Sequence, residues 1–182
     1  DFEAAHAAGR KVTLTLGPWK HTSLGSVGAT LADSLPLLHT EMNGAPEVAR
    51  SAVRLFVVGA NQWREYESWP PERTRPMSLF LAPGKLESSA PVQSEPSTYR
   101  YDPADPTPSV HGPTIGTRPA VGDMARLERR SDVLLFTGAP LDADTDIAGV
   151  VHADLHFRSS CAHVDFYVCL CDVDARGLST NV

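Results

Sequence analysis

Proline is packed so densely into the middle of this chain that it decides what can form there. Eleven of the 15 prolines lie between Trp69 and Pro119. Each removes a backbone N–H donor and fixes φ, so long helices are excluded and strands are confined to short or edge pieces. Short strands are expected at 77–81 and 98–101.

The two flanks have other characters. Residues 2–9 are Ala-rich with helical spacing and stop at Gly9, as the last turns of a helix do. Residues 11–16 (KVTLTL) form a strand run that ends at Gly17-Pro18. A polar loop over 20–28 follows, then a second helix that is expected to begin near Pro36, which suits a first helical turn, and to end at Asn43-Gly44. Residues 53–58 (VRLFVV) are a further apolar strand. Residues 1–71 therefore read as an α/β piece.

From Asp132 onward the pattern is β. A strand is expected at 133–136. In 145–157, Ile147, Val151, Ala153, Leu155 and Phe157 share one parity, while Asp146, His152, Asp154, His156 and Arg158 share the other. Val164, Phe166, Val168 and Leu170 repeat the alternation across 164–173. Such strands belong to antiparallel sheets wetted on one side, so residues 72–182 read as a β-sandwich and the chain as mainly β. A turn is expected at 174–177, with the chain stopping before a full partner strand could follow. With Asp1 in place of Met at the start, the sequence reads as a fragment cut at both ends.

No apolar run approaches the ~18 residues of a membrane span. The net charge is −6, and the basic residues gather no more tightly than Arg129-Arg130, so neither a membrane nor a nucleic acid is an expected partner. Three cysteines are too few for a disulfide framework, which suits reduced thiols in the cytoplasm.

The most pointed chemical feature is Gly17-Pro18-Trp19-Lys20-His21. A strand that runs into a Gly/Pro turn and then a His is where a doubly wound sheet presents catalytic groups. No Gly-x-Ser-x-Gly nucleophile turn occurs, and Leu24-Gly25-Ser26-Val27-Gly28 has the wrong spacing for one. Asp142-x-Asp144-x-Asp146 begins like a calcium loop. It carries Ile147 where Gly is required and Ala153 where the bidentate Glu belongs. His152, Asp154 and His156 read as a solvated strand face. Cys169-x-Cys171 is half a zinc site, and small half-buried thiols are the plainer reading. No metal or cofactor is expected. Trp63 and Trp69 read as packing at a domain seam rather than as a sugar platform.

Taken in order, these pieces resemble the cocaine esterase and X-Pro dipeptidyl-peptidase family of serine hydrolases. The resemblance runs from Gly17-Pro18-Trp19-x-His21 through 53–59, Trp63-Arg64 and Trp69-Pro70. It continues with Tyr99-x-Tyr101-Asp102-Pro103-Ala104-Asp105-Pro106-x-Pro108 and Arg130-Ser131-Asp132-Val133-Leu134-x-Phe136-Thr137, and ends with Asp165-Phe166 and Leu170-x-Asp172-Val173. It implies the end of an α/β-hydrolase domain followed by a C-terminal jelly roll. It implies that His21 is the triad base, with the serine and its acid upstream and Asp1 not that acid. It also implies that Ile115, in a loop over 111–116, lines the substrate pocket, although Gly116 stands where an aromatic or large apolar residue is common. The segment Gly122-Asp123-Met124-Ala125-Arg126 departs from the family's usual text. The implied substrate is a small ester or a short peptide. A non-catalytic binding or structural jelly roll is the competing expectation.

Overall fold

The computed structural model describes residues 2–20, 23–93, 95–112 and 120–182. The chain divides into two compact units, one of residues 1–75 with 146–150, the other of 76–145 with 151–182. Among the described residues there are three helices and eight short strands, so the structure is strand-rich with little helix beyond residue 43.

In the first unit, α1 (Phe2–Ala7) closes at Gly9, whose φ of +69° suits a residue without Cβ. Strand β1 (Leu14–Leu16) is shorter than the run that signals it. Helix α2 (Leu24–Asn43) corrects two expectations: it starts twelve residues before Pro36 and absorbs the second half of the expected polar loop. Proline inside a helix removes one i→i−4 bond and pushes on the carbonyl at i−4. That carbonyl belongs to Ala32, and Arg50 Nη2 donates to it at 2.9 Å. Arg50 Nη1 also donates to the Asp33 carbonyl at 3.2 Å and to Asp33 Oδ1 at 3.0 Å. A neighbouring guanidinium thus satisfies what Pro36 leaves open. The helix ends as expected: Gly44 lies at φ +64°, its N–H donates to the Thr40 carbonyl at 3.1 Å, and the Ala45 N–H donates to the His39 carbonyl at 3.3 Å.

Strands β2 (Val53–Val57) and β3 (Gln62–Tyr66) form an antiparallel hairpin, with Phe56 opposite Trp63. Asn61, in the connection, takes the left-handed conformation (φ 52°) that Asn tolerates. Strand β1 pairs parallel to β2, Leu14 against Val53 and Leu16 against Leu55. The sequence β1–α2–β2 is therefore a parallel β–α–β unit, with Thr15 Oγ1 donating to Asp33 Oδ2 of α2 at 2.8 Å. Val53 and Leu55 are buried on one face of β2, as period-two alternation requires. Along α2, Leu24, Val27, Leu31, Leu35, Leu38 and Met42 make an apolar stripe that is exposed to solvent.

In the second unit, β4 (Phe80–Ala82) and β5 (Lys85–Glu87) form a hairpin about Gly84, and β6 (Thr137–Gly138) joins β5 in parallel. The strand expected at 77–81 is shifted to β4, that at 98–101 is absent, and that at 133–136 is displaced onto β6. Strands β7 (Cys171–Val173) and β8 (Ser179–Asn181) pair antiparallel. A short partner strand of three residues is therefore laid down after the turn, where no full partner strand is expected. The turn between them is the expected one: Asp174 accepts from the N–H groups of Arg176 and Leu178, and Gly177 lies at φ +81°. Asn181 is buried on β8. Its Oδ1 accepts from the Gly122 N–H at 2.9 Å and its Nδ2 donates to the Ala120 carbonyl at 2.8 Å. The Met124 N–H donates to the Ser179 carbonyl at 3.0 Å, so residues 120–124 are pinned along β8. A four-residue helix, α3 (Ala125–Glu128), follows, with Asp123 Oδ1 accepting the Ala125 N–H.

The largest correction concerns 145–157 and 164–170, which alternate in sequence but lie in no strand. Alternation identifies the two faces a strand would have. The ladder needs a neighbouring chain to supply donors and acceptors, and residues 151–169 are exposed throughout. Phe157 and Phe166 still meet, with ring centroids 4.6 Å apart.

Candidate functional site

The loop that leaves the carboxyl end of β1 is held by its aromatic residue. Trp19 folds back over Gly17 so closely that a Cβ built there would lie 2.6–2.7 Å from three indole atoms. Only glycine leaves room for that ring. The indole continues onto Trp63 of β3, with centroids 5.7 Å apart. Trp63 in turn meets Phe56 edge-on at 5.3 Å and carries the Arg54 guanidinium 4.3 Å above its ring. Alternation along β2 puts Arg54 and Phe56 on the face opposite the buried Val53 and Leu55. The aromatic platform and the apolar core thus use the two sides of one strand. Trp63 thus packs against other side chains, but these partners lie within the first unit, whereas packing at a domain seam is the expectation.

Beyond Trp19, the Ser23 N–H donates to the Lys20 carbonyl at 3.0 Å and Ser26 Oγ to the Ser23 carbonyl at 2.6 Å, which opens α2. His21 itself lies outside the described residues, and so do Ile115 and Gly116. Leu24-Gly25-Ser26-Val27-Gly28 is the first turn of α2, not a nucleophile elbow. Asp146 is ion-paired with Arg64, and Asp142 and Asp144 are exposed. His152, Asp154 and His156 lie on an exposed segment without forming a strand.

A second constellation joins two motifs that sequence reading kept separate. Arg130 donates to both carboxylate oxygens of Asp132, Nε to Oδ1 at 2.7 Å and Nη2 to Oδ2 at 2.9 Å. It also reaches Asp105, at the carbonyl (2.7 Å) and the carboxylate (3.2 Å). Thr107 Oγ1 donates to Asp132 Oδ2 at 2.6 Å. The Arg130 hydrogen bonds, then that of Thr107, hold the Asp132 carboxyl well below the usual carboxylate range. Its side chain is 5% exposed, so every donor it needs comes from the protein. This clamp fastens the Asp-Pro-rich loop to the segment before β6. Its signal in the sequence is the acid-and-proline text of 101–108 paired with Arg-Ser-Asp at 130–132.

The family described as the X-Pro dipeptidyl-peptidase C-terminal non-catalytic domain matches residues 46–182. Cocaine esterase from Rhodococcus sp. (strain MB1 Bresler) is 29% identical over 91% of this chain and 34% of its own length. A protein of Mycobacterium bovis and one of Mycobacterium tuberculosis, each provisionally named a serine esterase, are 28% identical over 90% of this chain and 28% of theirs. An aminopeptidase crystal structure from a marine sediment Thaumarchaeota archaeon superposes with a TM-score of 0.59 at 28% identity, over 77% of this chain and 27% of that one. The chain thus spans about a third of the length of the curated relatives it matches. By this match, and by the esterases among its relatives, the chain belongs to the cocaine esterase and X-Pro dipeptidyl-peptidase family, residues 46–182 being its C-terminal non-catalytic domain.

Proposed function

We propose that the chain is the C-terminal part of a serine hydrolase that cleaves esters or amides through an acyl-enzyme, with His21 as its general base. The observation that carries this reading is the parallel β1–α2–β2 unit, in which Gly17-Pro18-Trp19-Lys20 leaves the carboxyl end of β1, where α/β sheets place catalytic groups; His21 is the next residue in the sequence. The esterase relatives support the reaction class. The exposed apolar stripe of α2 supports the fold, because the rest of a hydrolase sheet would cover it. On this reading residues 1–71 close the hydrolase domain and 72–182 form the jelly roll. Ile115 faces the substrate pocket, and the three free cysteines suit the cytoplasm. Among the described residues no helix is long and apolar enough to cross a membrane.

In the proposed reaction the His21 imidazole takes the proton of an upstream serine hydroxyl as its oxygen attacks the substrate carbonyl. The tetrahedral intermediate collapses as the imidazolium protonates the leaving alcohol or amine. Water then repeats the sequence to free the acid. No cofactor is needed for these steps. In the longer protein, His21→Gln is expected to lower hydrolysis of an activated ester by about 10⁴- to 10⁶-fold. The 182-residue chain alone is expected to do no better than free imidazole. An unchanged rate in H21Q would overturn the proposal.

A second reading, a binding or structural module without chemistry, is favoured for residues 46–182 by the family's description as non-catalytic. The two readings separate at His21, which has no task in a pure binding module.

A further inference from the structure

The text Leu24-Gly25-Ser26-Val27-Gly28 makes no nucleophile elbow, yet one of its glycines has a contact that the proposed reaction can use. Helix α2 opens at Leu24, so Gly25 lies in its first turn, where alanine would suit a helix better. A Cβ built on Gly25 would lie 3.3 Å from both Cδ1 and Nε1 of Trp19, with Ser23 Oγ at an ordinary 3.4 Å. The atoms that crowd Gly17 are Cη2, Cζ2 and Cζ3, at the other end of the same indole. The side chain therefore bridges the end of β1 and the start of α2, its six-membered ring on Gly17 and its five-membered ring on Gly25. The connection between the two elements is tied at both ends to one residue.

We propose that Gly25 is a positioning residue of the proposed hydrolase. It sets the Trp19 indole, and through it the loop that leads to His21, in the place the reaction requires; this rests on the reading of His21 as the base. Carbon contacts are most favourable at about 3.5–4.0 Å, so an alanine methyl at position 25 drives the ring back by a few tenths of an ångström. The ring has little room to give, because it already lies against Gly17 and packs on Trp63 with centroids 5.7 Å apart. Gly28, in the next turn of α2, is the contrast: a Cβ there meets nothing within 4 Å. Of these two glycines, only Gly25 is denied a methyl by a neighbouring side chain.

Two measurements test this. In the 182-residue chain the Trp19–Trp63 pair is expected to give an exciton couplet in circular dichroism, which Trp63→Phe abolishes. Gly25→Ala should weaken that couplet and Gly28→Ala should leave it unchanged. In the longer protein G25A is expected to lower kcat by about three- to tenfold with KM unchanged, since a misplacement of about 1 Å costs about 10²-fold. Trp19→Phe removes the five-membered ring, so G25A should add no further loss in that background. His21→Gln separates the two premises: an unchanged rate in H21Q would remove the base itself and this role with it. A rate lost in H21Q but kept at the parent kcat in G25A would overturn the role of Gly25 alone. So would a G25A loss that persists in W19F, or a couplet that G25A and G28A affect equally.

Discussion

Replacing Gly17 with alanine tests whether the Trp19 ring holds the loop after β1. The new Cβ would lie 2.6–2.7 Å from three indole atoms, whereas ordinary contact begins near 3.4 Å. The ring must therefore retreat by about 0.8 Å, and it cannot do so freely. It also packs against Trp63, which is itself held by Phe56 and by the Arg54 guanidinium. Overpacking of this kind costs about 1–3 kcal/mol. A gain of about 0.4–1 kcal/mol from the stiffer unfolded chain offsets part of it. A net loss of about 1–2 kcal/mol is expected in denaturant unfolding of the 182-residue chain, followed by tryptophan fluorescence. On the proposed reading, a displacement near 1 Å would lower kcat of the longer protein by about 10²-fold. If the ring is the cause, Trp19→Ala relieves it, and the G17A cost shrinks in that background. An equal G17A cost with and without the indole would refute the reasoning, as would G17A stability within about 0.3 kcal/mol of the parent.

The Arg130 clamp predicts a pH dependence. Because the folded Asp132 carboxyl titrates below its unfolded value of about 3.9, its contribution is complete above that pH and is lost as pH falls toward the folded value. Asp132→Asn should be less stable at neutral pH and should lose less stability than the parent below about pH 4. Parallel unfolding midpoints across that window would contradict the clamp. Arg50→Ala should cost about 1–2 kcal/mol, by freeing the Ala32 and Asp33 carbonyls at a partly exposed site. In a Pro36→Ala background the helix regains its own donor, so the R50A cost should fall. The same cost in both backgrounds would show that Arg50 does not compensate for the proline.

These contacts also mark how far sequence reading could go. Helix α1, strand β2 and the Gly44 stop were legible because each depends on residues that are neighbours in the chain. The start of α2 was not. Pro36 by itself argues for a first turn, and the guanidinium that makes an interior proline tolerable is Arg50, fourteen positions further on. The alternation of 145–157 and 164–170 was equally plain in the sequence. It names the faces of a strand without naming the partner, and only Cys171–Val173 found one, in β8. The motifs of 101–108 and 130–132 could each be quoted as text, while their meeting at Asp132 is a matter of tertiary structure.

The same distinction bears on how the candidate site is held. The text Gly17-Pro18-Trp19-Lys20-His21 identified the loop, and Gly17 reads as a turn residue until the indole above it is seen. The ring's support comes from Phe56, Trp63 and Arg54, and all three lie inside the segment that matches a family described as non-catalytic. Trp19 lies before that segment, yet it belongs to the same compact unit as the hairpin β2–β3. A label that excludes chemistry from residues 46–182 therefore does not exclude them from setting the geometry on which the chemistry depends. On the proposed reading, the position of the base would follow the packing of Trp63, a residue 42 positions from His21. Substitutions in this hairpin should then lower kcat by shifting the loop that carries the base, without changing the chemical identity of any reacting group.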